Sequence, residues 1–414
     1  MKNELSRRAF CGTAALAAMA STAGLVQGAG PKIAGFDQHS RESQHGLPWQ
    51  PKSDRKIRVG LVGYGVCQFS AQFEFQNHPN VEVAAVSDLF PDRCAALAKR
   101  VKCSKTYPSL EELVKDDSIE AVFVATDAPS HARHCIEVLN HGKHVCTAVP
   151  AFRGDIEDAE KLLECVKKNR GLIYAMFETS MFHDDLYAMQ RIYNAGGFGK
   201  IIYSEGEYCH TRKPKDPPIG SYKDWRKNGC PMWYPTHATA YYVGVTGGSF
   251  TDVSCQGVLS FDKAKRVPNA IGNIFSGEIG LFHTSEGGIS RMMVCPAYGK
   301  YLEAGRVRGE IGGFDGTYLD VKSAYTGIDE GRRIVKNLGT SIYKPALPPG
   351  VEAGAHGGSH GYLCEDFVNA ILTSTRPAVD VYDALNMTVP GWFAHLSSVK
   401  DGETFKIPQY KREA

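Results

Sequence analysis

Short, unbroken apolar runs alternate with helix-like stretches through the first half of this chain. Residues 57–62, 81–87, 119–125 and 171–177, with a further run beginning at His144-Val145-Cys146-Thr147, have the length and composition of buried strands. Segments 66–77, 110–114 and 134–140 between them predict helices. Strands and helices in alternation, with short connections, predict a parallel sheet with right-handed crossovers. The pattern then changes. A turn at Gly197-Phe198-Gly199 enters a strand through Lys200 to Tyr208 whose side chains alternate towards one face. Residues 250–321 are strand-rich, with turns at Glu286-Gly287-Gly288 and Gly312-Gly313. Two closing helices are predicted over 362–373 and 381–399.

A length of 414 residues suits two domains better than one core. The 47 basic side chains nearly match 45 acidic ones, so nothing in the charge argues for nucleic acid as a partner. The 12 cysteines contain no Cys-x-x-Cys pair, which predicts neither a zinc site nor a redox motif; they read as small buried apolar residues, and no metal is expected.

The amino terminus changes the picture of where the chain works. Ser6-Arg7-Arg8-Ala9-Phe10-Cys11 has the twin-arginine form and precedes an uncharged, Ala-rich run over 14–26. That run is short and Ala-rich for a membrane span, and Cys11 precedes it instead of ending it, which excludes a lipoprotein signal. Residues 1–28 are therefore expected to be a signal peptide and 29–55 a linker. The domains follow at 56–177 and 178–410. The expected location is periplasmic or otherwise exported, with the twin-arginine export machinery as a partner and no membrane contact after signal removal. That route carries folded proteins, and the usual reason to fold first is a cofactor loaded in the cytoplasm.

The first predicted strand leads into Gly63-Tyr64-Gly65. Two glycines here let the backbone turn sharply and approach a pyrophosphate, whose charge meets the amides of the next turn. Gln68 stands where a third glycine is usual. The second strand ends in Asp88, 25 residues after Gly63. A carboxylate there accepts both ribose hydroxyls and repels a 2′-phosphate, which favours NAD over NADP. The N-terminal part thus reads as a Rossmann-type, doubly wound α/β domain.

These motifs, with Ser87-Asp88-Leu89-Phe90-Pro91-Asp92-Arg93, Val124-Ala125-Thr126-Asp127-Ala128-Pro129-Ser130-His131 and Gly142-Lys143-His144-Val145 leading to Pro150, resemble the Gfo/Idh/MocA oxidoreductases in order and spacing. The resemblance implies that Val66, Arg93, Thr126, Pro129, His131, Val149 and Pro150 join Gly63, Gly65 and Asp88 around the cofactor, with Thr126, Pro129 and His131 near the nicotinamide. It implies a C-terminal α+β domain with an open, mainly antiparallel sheet, and a homo-oligomer. Many members of the family carry Glu-Lys-Pro where this chain has Ala148-Val149-Pro150, so the usual proton-transfer lysine is missing. A Val-Pro here is usual in glycoside hydrolase family 109, a branch of the same family.

Tyr234-Pro235-Thr236-His237 resembles a Tyr-Pro-Thr-His segment of that branch, which implies sugar contact. His237 can pass a proton near neutrality while Tyr234 donates a hydrogen bond, and on one helical turn the two would share a face. The common dehydrogenase pattern places an aspartate four residues before this histidine; here that position is Trp233. His237 and Tyr234 are the expected catalytic residues. Glu178, at the end of the last strand, His183, Trp225, Arg226 and His360 are the expected substrate-binding residues. For His183, Asp184 and Asp185 a helix cap is the preferred reading; Trp225 and Arg226 also read as packing, and the glycines of His356-Gly357-Gly358-Ser359-His360 read equally as a turn.

An exported protein meets little free NAD, so a hydride taken from the substrate is expected to return to it in the same turnover. The reading is an NAD-dependent oxidoreductase acting on a sugar, with redox-neutral glycoside cleavage preferred. The alternatives are an ordinary sugar dehydrogenase and a silent, NAD-holding sugar-binding protein.

Overall fold

The computed structural model describes residues 46–210, 221–297, 301–316, 318–320 and 342–412. The expected signal peptide, 1–28, and the 29–45 stretch of the linker lie outside the described residues.

Six strands, β1 (Ile57–Val62), β2 (Val81–Ser87), β3 (Thr106–Tyr107), β4 (Ala121–Val124), β5 (His144–Thr147) and β6 (Tyr174–Met176), make one sheet in the order β3-β2-β1-β4-β5-β6. Every neighbouring pair is parallel. This order reverses direction between β1 and β4, and ligands of such sheets bind at that reversal, beyond the carboxyl ends of the strands. Helices cover both faces, so all four residues of β4 are buried, and the apolar runs are continuous for that reason. Helix Pro91–Val101 carries Asp92 in its first turn and Lys99 and Arg100 in its last, matching the helix dipole.

The helix expected over 66–77 is broken in two. Gln68 and Glu74 are left-handed (φ 51° and 65°), leaving an α-turn at Phe69–Gln72 and a 3₁₀ turn at Phe75–Asn77. Phe73, just before the second reversal, and Phe75, just after it, turn inward to the rings of Phe123 and Phe177, with centroids 5.2–6.0 Å apart. Aromatic packing thus overrides the helical pattern.

Eight further strands, β7 (Ile201–Cys209), β8 (Phe250–Leu259), β9 (Phe275–Thr284), β10 (Ile289–Cys295), β11 (Leu302–Gly309), β12 (Gly312–Phe314), β13 (Tyr318–Asp320) and β14 (Phe405–Lys406), make the second sheet. Its order is β13-β12-β11-β7-β10-β9-β8-β14, antiparallel throughout except for β7 against β10. Helix Thr236–Thr246 lies against it, with Thr236 to Val245 all buried. Gly206 of β7 permits the close approach, since a Cβ there would sit 2.0 Å from the Ala238 carbonyl oxygen. This helix brings His237 to the sheet.

Candidate active site

The nucleotide cleft forms where β1, β2 and β4 end. Gly63 takes φ +94°, and a Cβ on it would lie 2.4 Å from the Ala125 carbonyl oxygen, so the first turn tolerates only glycine. Gly65 has nothing within 4 Å of where its Cβ would be and opens on a cavity of about 370 Å³. Val66, Asp88, Arg93, Thr126, Pro129, His131 and Val149 line the same cavity. Asp88 ties the glycine loop to the second strand: Oδ2 accepts the Tyr64 amide (2.6 Å) and Oδ1 the Phe90 amide (2.9 Å). A carboxylate has about four lone-pair sites, so two amides leave it able to accept ribose hydroxyls. A narrow glycine turn, an unobstructed Gly65 and a fixed carboxylate fit a dinucleotide.

Histidines hold the far wall. His131 is buried, and its Nδ1 donates to the Pro150 carbonyl (2.8 Å), joining the loop after β4 to that after β5. Pro150 supports the cleft this way. Burial, then Arg133, brings His134 down to about 4, so it is neutral at ordinary pH. Arg133 donates to its Nε2 (2.8 Å), which leaves the Nδ1 proton to Thr126 Oγ1 (2.8 Å). The Thr126 hydroxyl therefore keeps its own hydrogen to donate.

Behind Tyr234 lies a buried polar group. Nδ1 of His237 donates to Glu178 Oε1 at 2.8 Å and is 3.5 Å from Glu303 Oε1, with both carboxylates almost wholly buried. Ser180 Oγ is 2.8 Å from Glu178 Oε1 and 2.6 Å from Glu303 Oε1. Tyr301 donates to Glu303 Oε2 (3.1 Å). Burial opposes a charge on His237, but Glu178 and Glu303 outweigh it and raise the imidazole to about 9. Burial likewise opposes ionisation of Glu178, yet His237 holds its carboxyl below the ordinary range. The imidazole packs on the rings of Tyr208 (4.5 Å between centroids) and Tyr234 (5.5 Å). Tyr234 lines the nucleotide cleft, and burial pushes its phenol well above the ordinary value.

Residues 57–177 match the family model GFO_IDH_MocA, described as an oxidoreductase family with an NAD-binding Rossmann fold. This segment carries the Rossmann fold of an NAD-binding family. Over 91% of the chain and 92% of the relative, the protein is similar at 23% identity to a Solibacter usitatus protein named a glycosyl hydrolase family 109 protein. Among solved structures, it is similar in fold to levoglucosan dehydrogenase in complex with NADH and levoglucosan (TM-score 0.69, 16% identity, 86% of this chain and 100% of that one). It is also similar to myo-inositol dehydrogenase from Lactobacillus casei in complex with NAD(H) and myo-inositol (TM-score 0.63, 15% identity, 86% and 98%).

Around this cleft the expected substrate residues separate. Tyr234 and His237 do not share a helical turn, because Tyr234 (φ −130°, ψ 58°) precedes the helix; their rings meet locally, 5.5 Å apart, across the turn that enters it. Glu178 meets His237 directly. His183 occupies the N-cap position of helix Asp184–Asn194 without capping it through its side chain, and its Nε2 is 3.5 Å from Glu303 Oε1. Trp225 and Arg226 line the cleft, with the guanidinium 4.4 Å from the indole. His360 does not reach the cleft. It stacks on Phe73 at 4.1 Å and bonds the Gln72 carbonyl and His356, because its helix, His360–Thr373, packs beneath the broken helix after Gly65. Sequence reasoning missed Glu303, Tyr208 and Arg153. Glu303 sits on a strand of ordinary alternating pattern, and no local signal distinguishes it.

Proposed function

We propose that this chain is an NAD-dependent oxidoreductase acting on a sugar or sugar derivative, and that the hydride returns to the substrate within one turnover. The observation that carries this reading is the position of Tyr234. It lines both the NAD cleft and a second cavity, with the Glu178–His237–Glu303 group directly behind it. A sugar held there would present a ring carbon to the cofactor and its hydroxyl to Tyr234.

Bound NAD supplies the acceptor for that carbon's hydride and the donor for its return. Tyr234, kept protonated, donates a hydrogen bond to the reacting oxygen. His237, cationic at neutral pH, favours negative charge developing on that side of the site, and its carboxylate partners fix Nδ1 as the nitrogen turned away from reaction. Arg226 and Trp225 orient the sugar ring. Oxidation of the hydroxyl to a carbonyl, its hydride going to NAD and its O–H proton to water in the cleft, would acidify the adjacent C–H bond. The C–H proton would pass to a base, the glycosidic substituent would leave with the bonding pair and take a proton, water would add, and the carbonyl would regain the hydride with a proton from water. The similarity to a family 109 protein over most of the chain, and the Ala148-Val149-Pro150 and Trp233 departures, support this cycle over simple dehydrogenation. Export with NAD already bound, directed by the twin-arginine segment, is part of the same proposal.

The test is to purify the chain from Gly30 onward, dialyse it, denature it and quantify released nucleotide, then follow glycoside turnover in D₂O. Near one NAD or NADH per chain, with deuterium entering a ring carbon and no net NADH, is the expected result. Accumulating NADH would favour an ordinary dehydrogenase. Saturable sugar binding with no exchange would favour a silent binding protein.

A further inference from the structure

The second cavity, of about 410 Å³, shares Trp225, Arg226 and Tyr234 with the NAD cleft. Its wall carries four basic side chains, Arg153, Arg226, Lys227 and Lys265, and among the described residues no Asp or Glu. The two lysines are exposed, and each has a carboxylate three residues away, Lys227 with Asp224 (3.0 Å) and Lys265 with Asp262 (3.6 Å). Arg153 is different. It is only 8% exposed, and it makes no ion pair among the described residues. Its Nη1 donates to the carbonyls of Trp225 (2.7 Å) and Asn228 (3.4 Å), its guanidinium lies 5.0 Å from the Trp225 ring, and its Nε is buried with no hydrogen-bond partner.

A buried cation without a counterion is expensive, and carbonyl dipoles and ring faces offset only part of that cost. The strain shows in its acidity: burial brings Arg153 down to about 10, with Arg226 adding to the effect. It is still cationic at neutral pH. The fold also makes room for it, because a Cβ on Gly229 would sit 1.6 Å from Arg153 Nη2. Among the described residues the chain therefore keeps a positive group at this cavity wall and supplies no anion for it.

We infer that the second cavity receives an anionic carbohydrate, whose carboxylate, sulfate or phosphate group is taken by Arg153 with Arg226 beside it. The inference rests on the reading of this site as one for sugars and names their class. A planar guanidinium suits such groups because it donates two parallel hydrogen bonds to two oxygens.

The experiment is calorimetry on NAD-saturated protein at fixed ionic strength. The probes are inorganic sulfate, which is indifferent to sugar stereochemistry, and matched pairs: glucuronate and glucose, galacturonate and galactose, glucose 6-sulfate or 6-phosphate and glucose. The charged member of at least one pair is expected to bind about tenfold or more tightly than the neutral one, and which pair does so identifies the anion. Arg153→Gln should bring each pair to within about twofold and abolish sulfate binding while NAD content stays unchanged. Should that variant not fold, Lys265→Gln at the exposed wall should still weaken the charged members by about twofold through its field. Wild-type protein that takes no sulfate and shows no preference for the charged members overturns the inference. A clear preference without isotope exchange supports it and instead defeats the hydride-return reading.

Discussion

Nδ1 of His237 lies 2.8 Å from Oε1 of Glu178, across 59 residues of sequence, and both groups are buried. That contact sets a pH dependence. The imidazole is raised to about 9, from an ordinary 6.5. A raised folded-state value means the interaction is fully stabilising below about 6.5 and is lost as pH rises through about 9, a contribution of roughly 3 kcal/mol. The lowered carboxyl of Glu178 is the same interaction seen from its partner, so it is counted once. Melting temperature is expected to fall between pH 7 and 9.5 in wild type and to flatten over that range in Glu178→Gln. A wild-type profile already flat there would show that the pair does not form.

His237→Ala removes the cation behind Tyr234 and should lower turnover by about 10² to 10³. Nucleotide content after dialysis should stay at the wild-type level, since His237 lies outside the wall of the NAD cleft. Retained full turnover would remove His237 from the chemistry.

Two neighbouring glycines should fail in different ways. Gly63→Ala meets the Ala125 carbonyl and a positive φ, and should destabilise folding by about 1–3 kcal/mol or more. Gly65→Ala meets no protein atom, so its melting temperature without nucleotide should match wild type while NAD affinity falls, because the added methyl faces the cavity. Chemical denaturation and NAD titration of both proteins separate the effects; equal NAD affinity in Gly65→Ala and wild type would move the pyrophosphate elsewhere.

Asp88→Ala removes the acceptor of the Tyr64 and Phe90 amides as well as the ribose contact. NAD affinity should drop by about tenfold or more, and discrimination against NADP should shrink. Titration with both nucleotides checks this. An unchanged NAD to NADP ratio would deny Asp88 its place at the ribose.

The nucleotide half was legible in the sequence because its determinants are local. A buried parallel strand needs a continuous apolar run, a tight turn against the Ala125 carbonyl needs Gly63, and a strand-end carboxylate needs only the right distance along the chain. Each is a relation among residues a few positions apart, or one repeat of a βαβ unit. The break in the helix after Gly65 escaped that logic, because Phe73 and Phe75 obey an aromatic cluster assembled from β4 and β6. His360, expected at the substrate, instead stacks on Phe73 for the same reason. The polar group around His237 is wholly tertiary, since Glu178 arrives just after β6 and Glu303 from β11, 125 residues further along the chain. The sequence by itself determined the fold of the NAD domain, its cofactor and the presence of a Tyr-x-x-His pair. Only the tertiary structure decided that His237 is charged, that Tyr234 joins two cavities, and that Arg153 makes no ion pair among the described residues, because charge state and burial depend on what the rest of the chain brings within a few ångströms.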